Sequence, residues 1–162
     1  MGGIELWLLV HALGAGSLLA GGVWALAEVS GLRPAWRTGA GTATAASRAQ
    51  LATTVLAAGA WLAVLVATLV IYPAYRAGPR QVLLASAATA WWQTVAMEWK
   101  ERLGWLAVWP LSTAAWATWR YGGDLADDGV RPVVMGLLAT GLALAAVAAA
   151  VGMNLVRLAP VH

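Results

Sequence analysis

Long apolar runs alternate with short polar connections along this chain. The runs exceed what strands or the buried helices of a soluble domain need, because about 20 apolar residues are enough to cross the hydrocarbon core of a bilayer. The pattern predicts four membrane-spanning helices, over 4–29, 50–72, 99–120 and 130–156. Gly31 and Pro34 are expected to end the first, by a left-handed cap and by loss of a backbone donor. The connection over 30–47 is rich in Gly, Thr and Ala and carries Arg33 and Arg37, with Arg48 just beyond it. Pro73 is expected to close the second span and Pro110 to kink the third. The polar loop 121–128 leads into the fourth, with Asp128 as its expected N-cap and Pro132 in its first turn.

The stretch from Gly78 to Met97 does not fit the alternation. It is apolar enough to associate with a membrane but short for a span. Fused to the third span it would form a helix of nearly 60 Å at 1.5 Å per residue, about twice the hydrocarbon thickness. A break is therefore required, and an interfacial or re-entrant helix over 81–94 is expected. The first run lacks a basic flank, and its apolar length of about 25 residues exceeds the 7–15 of a signal-peptide core, so it reads as a retained helix.

Composition sharpens this picture. The 162 residues are 61% hydrophobic and 10% charged, against roughly 45–50% apolar residues in an average soluble domain. The expected fold is an all-α integral membrane four-helix bundle, one transmembrane domain over 1–162. The expected location is the bacterial cytoplasmic membrane. Eleven tryptophans and no phenylalanine are present. Trp7, Trp36, Trp99, Trp109, Trp116 and Trp119 fall near expected span ends, where indoles form interfacial belts. The absence of cysteine excludes disulfides, thiolate metal sites and cysteine nucleophiles. The net charge of +3 forms no basic stripe, which argues against nucleic acid. Loop charges are balanced, and counting Lys100 and Arg102 as intramembrane favours an N-terminus outside.

The informative polar residues converge on one end. In an up-down-up-down bundle the start of span 1, the end of span 2, the start of span 3 and the end of span 4 share a leaflet. Those positions hold His11; Tyr72, Tyr75 and Arg76; Glu98, Lys100, Glu101 and Arg102; and Asn154 with Arg157. The other leaflet offers only Glu28, Ser112 and Thr113 inside its spans. His11 shares a helical face with Gly14, Leu18, Gly21, Gly22 and Ala25, whose small members admit a neighbouring backbone or a flat cofactor. Glu101 shares a face with Met97, Trp105 and Val108, which points it inward. Glu98 and Arg102 stand four apart and can pair within the helix. Lys100 projects elsewhere and is expected to snorkel to the interface, as is Arg157.

Several chemistries suit this set. Haem b in a bundle takes two axial ligands, often His on facing helices. His11 is the one histidine within a span, so its opposite ligand would be Met97, Lys100 or a partner's side chain. A metal site of His11 with Glu98 or Glu101 is a further option. A quinone headgroup asks only for a hydrogen-bonding His, Tyr or Arg beside an apolar slot. No phosphate loop, nucleophile elbow, HExxH or Ser/His/Asp set is present, which argues against an independent hydrolase.

Tyr72-Pro73-Ala74-Tyr75-Arg76, followed by Glu98-Trp99-Lys100-Glu101-Arg102, resembles a pattern in a group of small four-span bacterial membrane proteins, themselves uncharacterised. That group carries Tyr-Pro-x-Tyr-Arg and then Lys-Glu-His at the start of the third span. The resemblance implies the four-span layout and an early His in span 1. The group's Lys-Glu-His would supply a second membrane histidine. This chain has Arg102 there, which favours a structural or accessory role.

The sequence thus predicts a small membrane subunit of an electron-transfer assembly. Its one-leaflet site for haem b or quinone would be built from His11, Tyr72, Tyr75, Arg76, Glu101 and Arg157, with His11 as the candidate metal ligand. Its expected partners are the lipid bilayer and other membrane subunits or a second copy. The alternatives are a cofactor-free assembly subunit and a small proton-coupled transporter relaying through Glu101 and His11.

Overall fold

The apolar runs become helices, and small residues decide how those helices meet. A computed structural model describes residues 3–38, 42–126 and 129–158. The helices in order are α1 (Gly3–Thr38), α2 (Thr42–Val66), α3 (Tyr72–Ala77), α4 (Pro79–Leu84), α5 (Ala87–Trp91), α6 (Glu98–Tyr121) and α7 (Val130–Leu158). π-helical turns over Ala67–Ile71 and Trp92–Met97 join α2 to α3 and α5 to α6. A 3-10 turn over Gly122–Ala126 follows α6. The protein is all-α, with no strand among the described residues.

The four long helices form a ring in which α1 touches α2 and α7, and α6 touches α2 and α7. Adjacent helices run antiparallel. Along α1 and α2, Gly14 meets Ala63, Gly21 meets Leu56 and Glu28 meets Arg48, in opposite chain order. Along α6 and α7, Gly152 lies at Lys100 and Gly141 at Leu111. Gly104 of α6 faces Val64 of α2, and Trp61 and Trp119 donate to Ser112 and Thr54 across the same pair at 3.0 and 2.8 Å.

The interior combines alanine with a smaller number of leucines and valines. Ala45, Ala49, Ala52, Leu56 and Ala60 line the inner stripe of α2, and Ala107, Leu111, Ala114 and Ala117 that of α6. Leu9, Leu13, Leu19 and Val23 of α1, Leu51, Val55 and Leu62 of α2, and Val133 and Val147 of α7 face outward. Large apolar residues outside and alanine-rich stripes inside suit helices associating in lipid, where close backbone approach replaces water exclusion as the driving force. Leu9–Gly31, Ala43–Ala77 and Val130–Leu155 are long and apolar enough to cross a membrane. α6 is set apart from them by its opening charges and by Trp99, Trp105, Trp109, Trp116 and Trp119. Buried Thr53 and Thr118 donate to the carbonyls of Ala49 and Ala114 in their own helices, so neither leaves a polar group unsatisfied.

Four boundary expectations change. α1 does not stop at Gly31 or Pro34 but continues to Thr38. Gly122 is the one glycine with positive φ among the described residues, so Gly31 forms no left-handed cap. The expected 30–47 connection is correspondingly helical at both ends. Pro73 does not close the second helix either. A proline ring collides with the carbonyl four residues back, and the π turn immediately before it widens the helix there, with Tyr72 N–H bonding Ala67 O five residues back. The path continues into α3 through Ala77. The 81–94 helix is broken in two: α4 ends at Leu84, Ser86 is extended (φ −128, ψ 134) and its hydroxyl accepts from Ala88 N–H, capping α5. From Ala87 the path is helical through to Tyr121. A break does fall in this stretch, at Ser86, where a side-chain cap can start a new helix, but the expected break before the third span is absent, because that helix is continuous from Ala87. α6 continues through Pro110. Asp128 and His162 lie outside the described residues, and the side chains of Trp7 and Trp36 are likewise not described.

Candidate functional site

The start of α1, the turn entering α3, the start of α6 and the end of α7 do share one end of the bundle, and they bring part of the predicted polar set together. His11 is half-buried on the inner face of α1, one turn from Gly14, which sits 3.9 Å (as a built Cβ) from Ala63 of α2. Its ring reaches the Ala63 backbone, while Nδ1 is buried without a hydrogen-bond partner. A neutral imidazole has one donor and one acceptor nitrogen. With its other nitrogen turned toward the Ala63 backbone, the ring leaves Nδ1 as the position open to a ligand.

Lys100 departs from its expected outward course. Its stem crosses Gly152 of α7: a Cβ at Gly152 would lie 3.0 Å from Lys100 Cε and 3.7 Å from Nζ. The glycine is what admits the lysine, and the ammonium is drawn in to the level of His11, close enough for its charge to act on the ring. Glu101, next along α6, is half-buried with Oε1 enclosed and unpartnered. Its inward direction agrees with the burial of Met97 and Val108 on the same face.

Tyr75 is buried and its hydroxyl donates to Gln93 Oε1, also buried. The two residues come from opposite sides of the Ser86 break. Each follows a π-helical turn or lies within one, a feature frequent at functional sites. Tyr75 packs with Leu83, Met97 and Leu155, flanked by Tyr72, Trp92 and Val151. Tyr72 stacks on Tyr75 at 6.3 Å between centroids and 20° between planes, and the Arg76 guanidinium lies 5.9 Å from the Tyr72 centroid.

Other predicted members stay out. Arg76 and Arg157 are exposed, so the structure places neither inside the cluster. Asn154 is exposed and its amide donates to Ala150 O one turn back. The Glu98–Arg102 pair forms as expected, at 3.5 Å, but both side chains are more than half exposed. Glu98→Gln is accordingly expected to change stability by less than about 0.5 kcal/mol, read as an unchanged thermal midpoint in detergent. A drop of several degrees would show that the pair does more than decorate the surface.

Gln93 is the residue the sequence reading missed. The available signal was an amide inside an otherwise apolar run, where a polar group needs a partner. Among the described residues no three of His, Asp and Glu come together as a metal site, so His11 has no carboxylate pair to complete one. At the opposite end Glu28 accepts from Arg48 at 3.1 Å and from Trp24 at 3.2 Å, so both of its carboxylate oxygens have a partner.

The fold and this cluster define an α-helical membrane-type bundle with a one-ended polar site. Comparison with family models, curated proteins and solved structures found no match.

Proposed function

We propose that this chain is a four-span subunit of the bacterial cytoplasmic membrane whose one-ended polar cluster binds the headgroup of a lipid-soluble quinone or quinol, within an electron-transfer assembly. The observation carrying this reading is the pair of enclosed, unpartnered acceptors, His11 Nδ1 and Glu101 Oε1. A buried polar atom without a partner costs about 1–3 kcal/mol, and a ring hydroxyl entering from the membrane would supply the missing donor. Lys100 adds a donor for a ring oxygen at the same level. The stacked Tyr72 and Tyr75 supply an aromatic wall beside it.

Haem b fits the side chains less well. It would need a second axial ligand opposite His11, and Met97 is packed beneath Tyr75, Leu83 and Leu155. Lys100 is then the remaining candidate from this chain.

The test is calorimetric titration of the detergent-solubilised protein with 1,4-naphthoquinone and its quinol. His11→Ala is expected to weaken quinol binding about tenfold, the equivalent of one hydrogen bond to a buried group. Identical isotherms for wild type and His11→Ala would remove His11 from the site. A dithionite-reduced minus oxidised spectrum with a Soret band would replace the quinone reading with a haem one.

A further inference from the structure

The outward face of α6 is unlike those of its neighbours. α2 and α7 cover its other sides. Along the free side run Trp99, Leu106, Trp109 and Trp116, interrupted by Arg102, Thr113 and Arg120, and all of them are exposed. Trp109, expected in an interfacial belt, stands midway along α6 and is 60% exposed. An indole facing lipid at that depth lies away from the headgroup level it favours, and arginines beside it make a poor lipid surface. Trp and Arg are, by contrast, the residues that most often anchor protein interfaces. Two of these rings are already held in place. Trp109 stands edge-on to Trp61 at 6.0 Å, and Trp116 to Tyr121 at 6.2 Å.

The order of residues along the stripe selects its occupant. Against a second copy running the opposite way, Trp109 meets Trp109 and Leu106 meets Thr113. Each arginine then meets a tryptophan, Arg102 facing Trp116 and Arg120 facing Trp99. A guanidinium over an indole is a favourable cation–π pair, and more so away from water. The contacts are reciprocal, as a two-fold interface requires. A parallel pair would instead oppose Arg102 to Arg102 and Arg120 to Arg120, and like charges in an interface are repulsive. Glu98, 3.5 Å from Arg102, can offset the first meeting. α6 has no carboxylate in its last turns to offset the second.

Antiparallel copies in one membrane need a chain that inserts both ways. Orientation follows an excess of Lys and Arg on the cytoplasmic side. Here Arg33, Arg37, Arg48, Arg120 and Arg131 lie toward one end of the bundle, and Arg76, Arg80, Arg102 and Arg157 toward the other. Lys100 is turned inward across Gly152. So even a division imposes no direction. We propose that the α6 stripe is the interface of an antiparallel homodimer whose two copies insert in opposite orientations. The inference rests on the four-span part of the proposed function and not on its ligand.

The chain has no cysteine, so introduced thiols report alone. Leu106→Cys and Thr113→Cys, co-expressed on separately tagged full-length chains and oxidised with copper phenanthroline in native membranes, are expected to give a mixed disulfide dimer. Neither variant alone is expected to cross-link, because like positions in the antiparallel pair stand about 10 Å apart along the axis, beyond disulfide reach. Trp116→Ala in both chains is expected to cut the mixed yield about tenfold. Gly78 and Gly129, at opposite ends of the bundle, are exposed with open space for a side chain. Gly78→Cys and Gly129→Cys are each expected to react with a membrane-impermeant maleimide from both sides of the membrane in comparable amounts. Absence of the mixed cross-link, or labelling of the two positions from one side each and opposite to one another, overturns the inference and leaves the four-span reading intact. Ready cross-linking of Leu106→Cys alone would show a parallel pair and overturn it too. Labelling of both positions wholly from the same side would show that α6 does not cross, and would end the four-span reading with it.

Discussion

Replacing Gly141 with alanine is expected to destabilise the bundle by about 1–3 kcal/mol, the usual consequence of forcing a methyl group into a filled core. The built methyl would lie 2.6 Å from Leu111 Cγ, 2.7 Å from Leu111 Cδ2 and 3.2 Å from the Ala107 carbonyl oxygen. Leu111 is fully buried and has nowhere to turn, and the carbonyl belongs to the α6 backbone. The close approach of α6 and α7 is thus set by the missing side chain at Gly141. In lipid, where helix association depends on packing and not on water exclusion, that approach is a main source of stability.

Leu111→Ala alone is expected to cost about 2–5 kcal/mol through the cavity it leaves. In that background Gly141→Ala should cost much less, because the cavity accepts the new methyl apart from its contact with Ala107. The double-mutant cycle, read from unfolding midpoints in detergent, is expected to show a coupling of about 1–3 kcal/mol. Simple additivity would mean that α6 and α7 do not meet at this point.

The second large effect concerns the Tyr75–Gln93 pair. Tyr75→Phe removes the donor and leaves Gln93 Oε1 buried without a partner, an expected loss of about 1–3 kcal/mol. Gln93→Met strands the tyrosine hydroxyl instead, with a similar loss. The double variant removes both polar groups and is expected to recover most of the stability, since an apolar pair of similar shape leaves nothing unsatisfied. Proteolysis at the Ser86 break offers an independent readout. Tyr75 lies before the break and Gln93 after it, so either single variant should raise cleavage between α4 and α5, and the double variant should reverse the rise. Equal losses in the double and the single variants would show that the pair does not hold this segment.

Much of the fold is legible in one dimension. A run of apolar residues in a chain with few charges has no lower free-energy option than a helix, whose backbone bonds close within the segment. The four long helices follow, as does the gathering of polar residues at one end, because antiparallel connection fixes which helix ends are neighbours. The inner face of α1 is also readable, since the 3.6-residue period places Leu18, Gly22, Ala25 and Val29 on one side and all four are buried.

Helix ends were less legible, for a physical reason. Gly31, Pro34 and Pro73 are stop signals where solvent and alternative turns compete with the helix. Inside a bundle neighbouring helices support the path beyond them, and before Pro73 a π turn absorbs the steric conflict. The side chains' directions were the second gap. Periodicity placed Lys100 away from the Glu101 face but held no information about Gly152, more than fifty positions later in the chain. The pairing of Tyr75 with Gln93 likewise depends on where the Ser86 break folds the chain back.

The sequence by itself determined the class of fold, the helices and the end at which polar chemistry collects, because these follow from local hydropathy and short connections. The tertiary structure decided which of those polar groups point inward. Gly152 admits Lys100 and the Ser86 break brings Gln93 to Tyr75, whereas Arg76 and Arg157 remain exposed at the surface. Those outcomes depend on which backbone lies opposite each side chain, and that is a property of packed helices and not of any one of them.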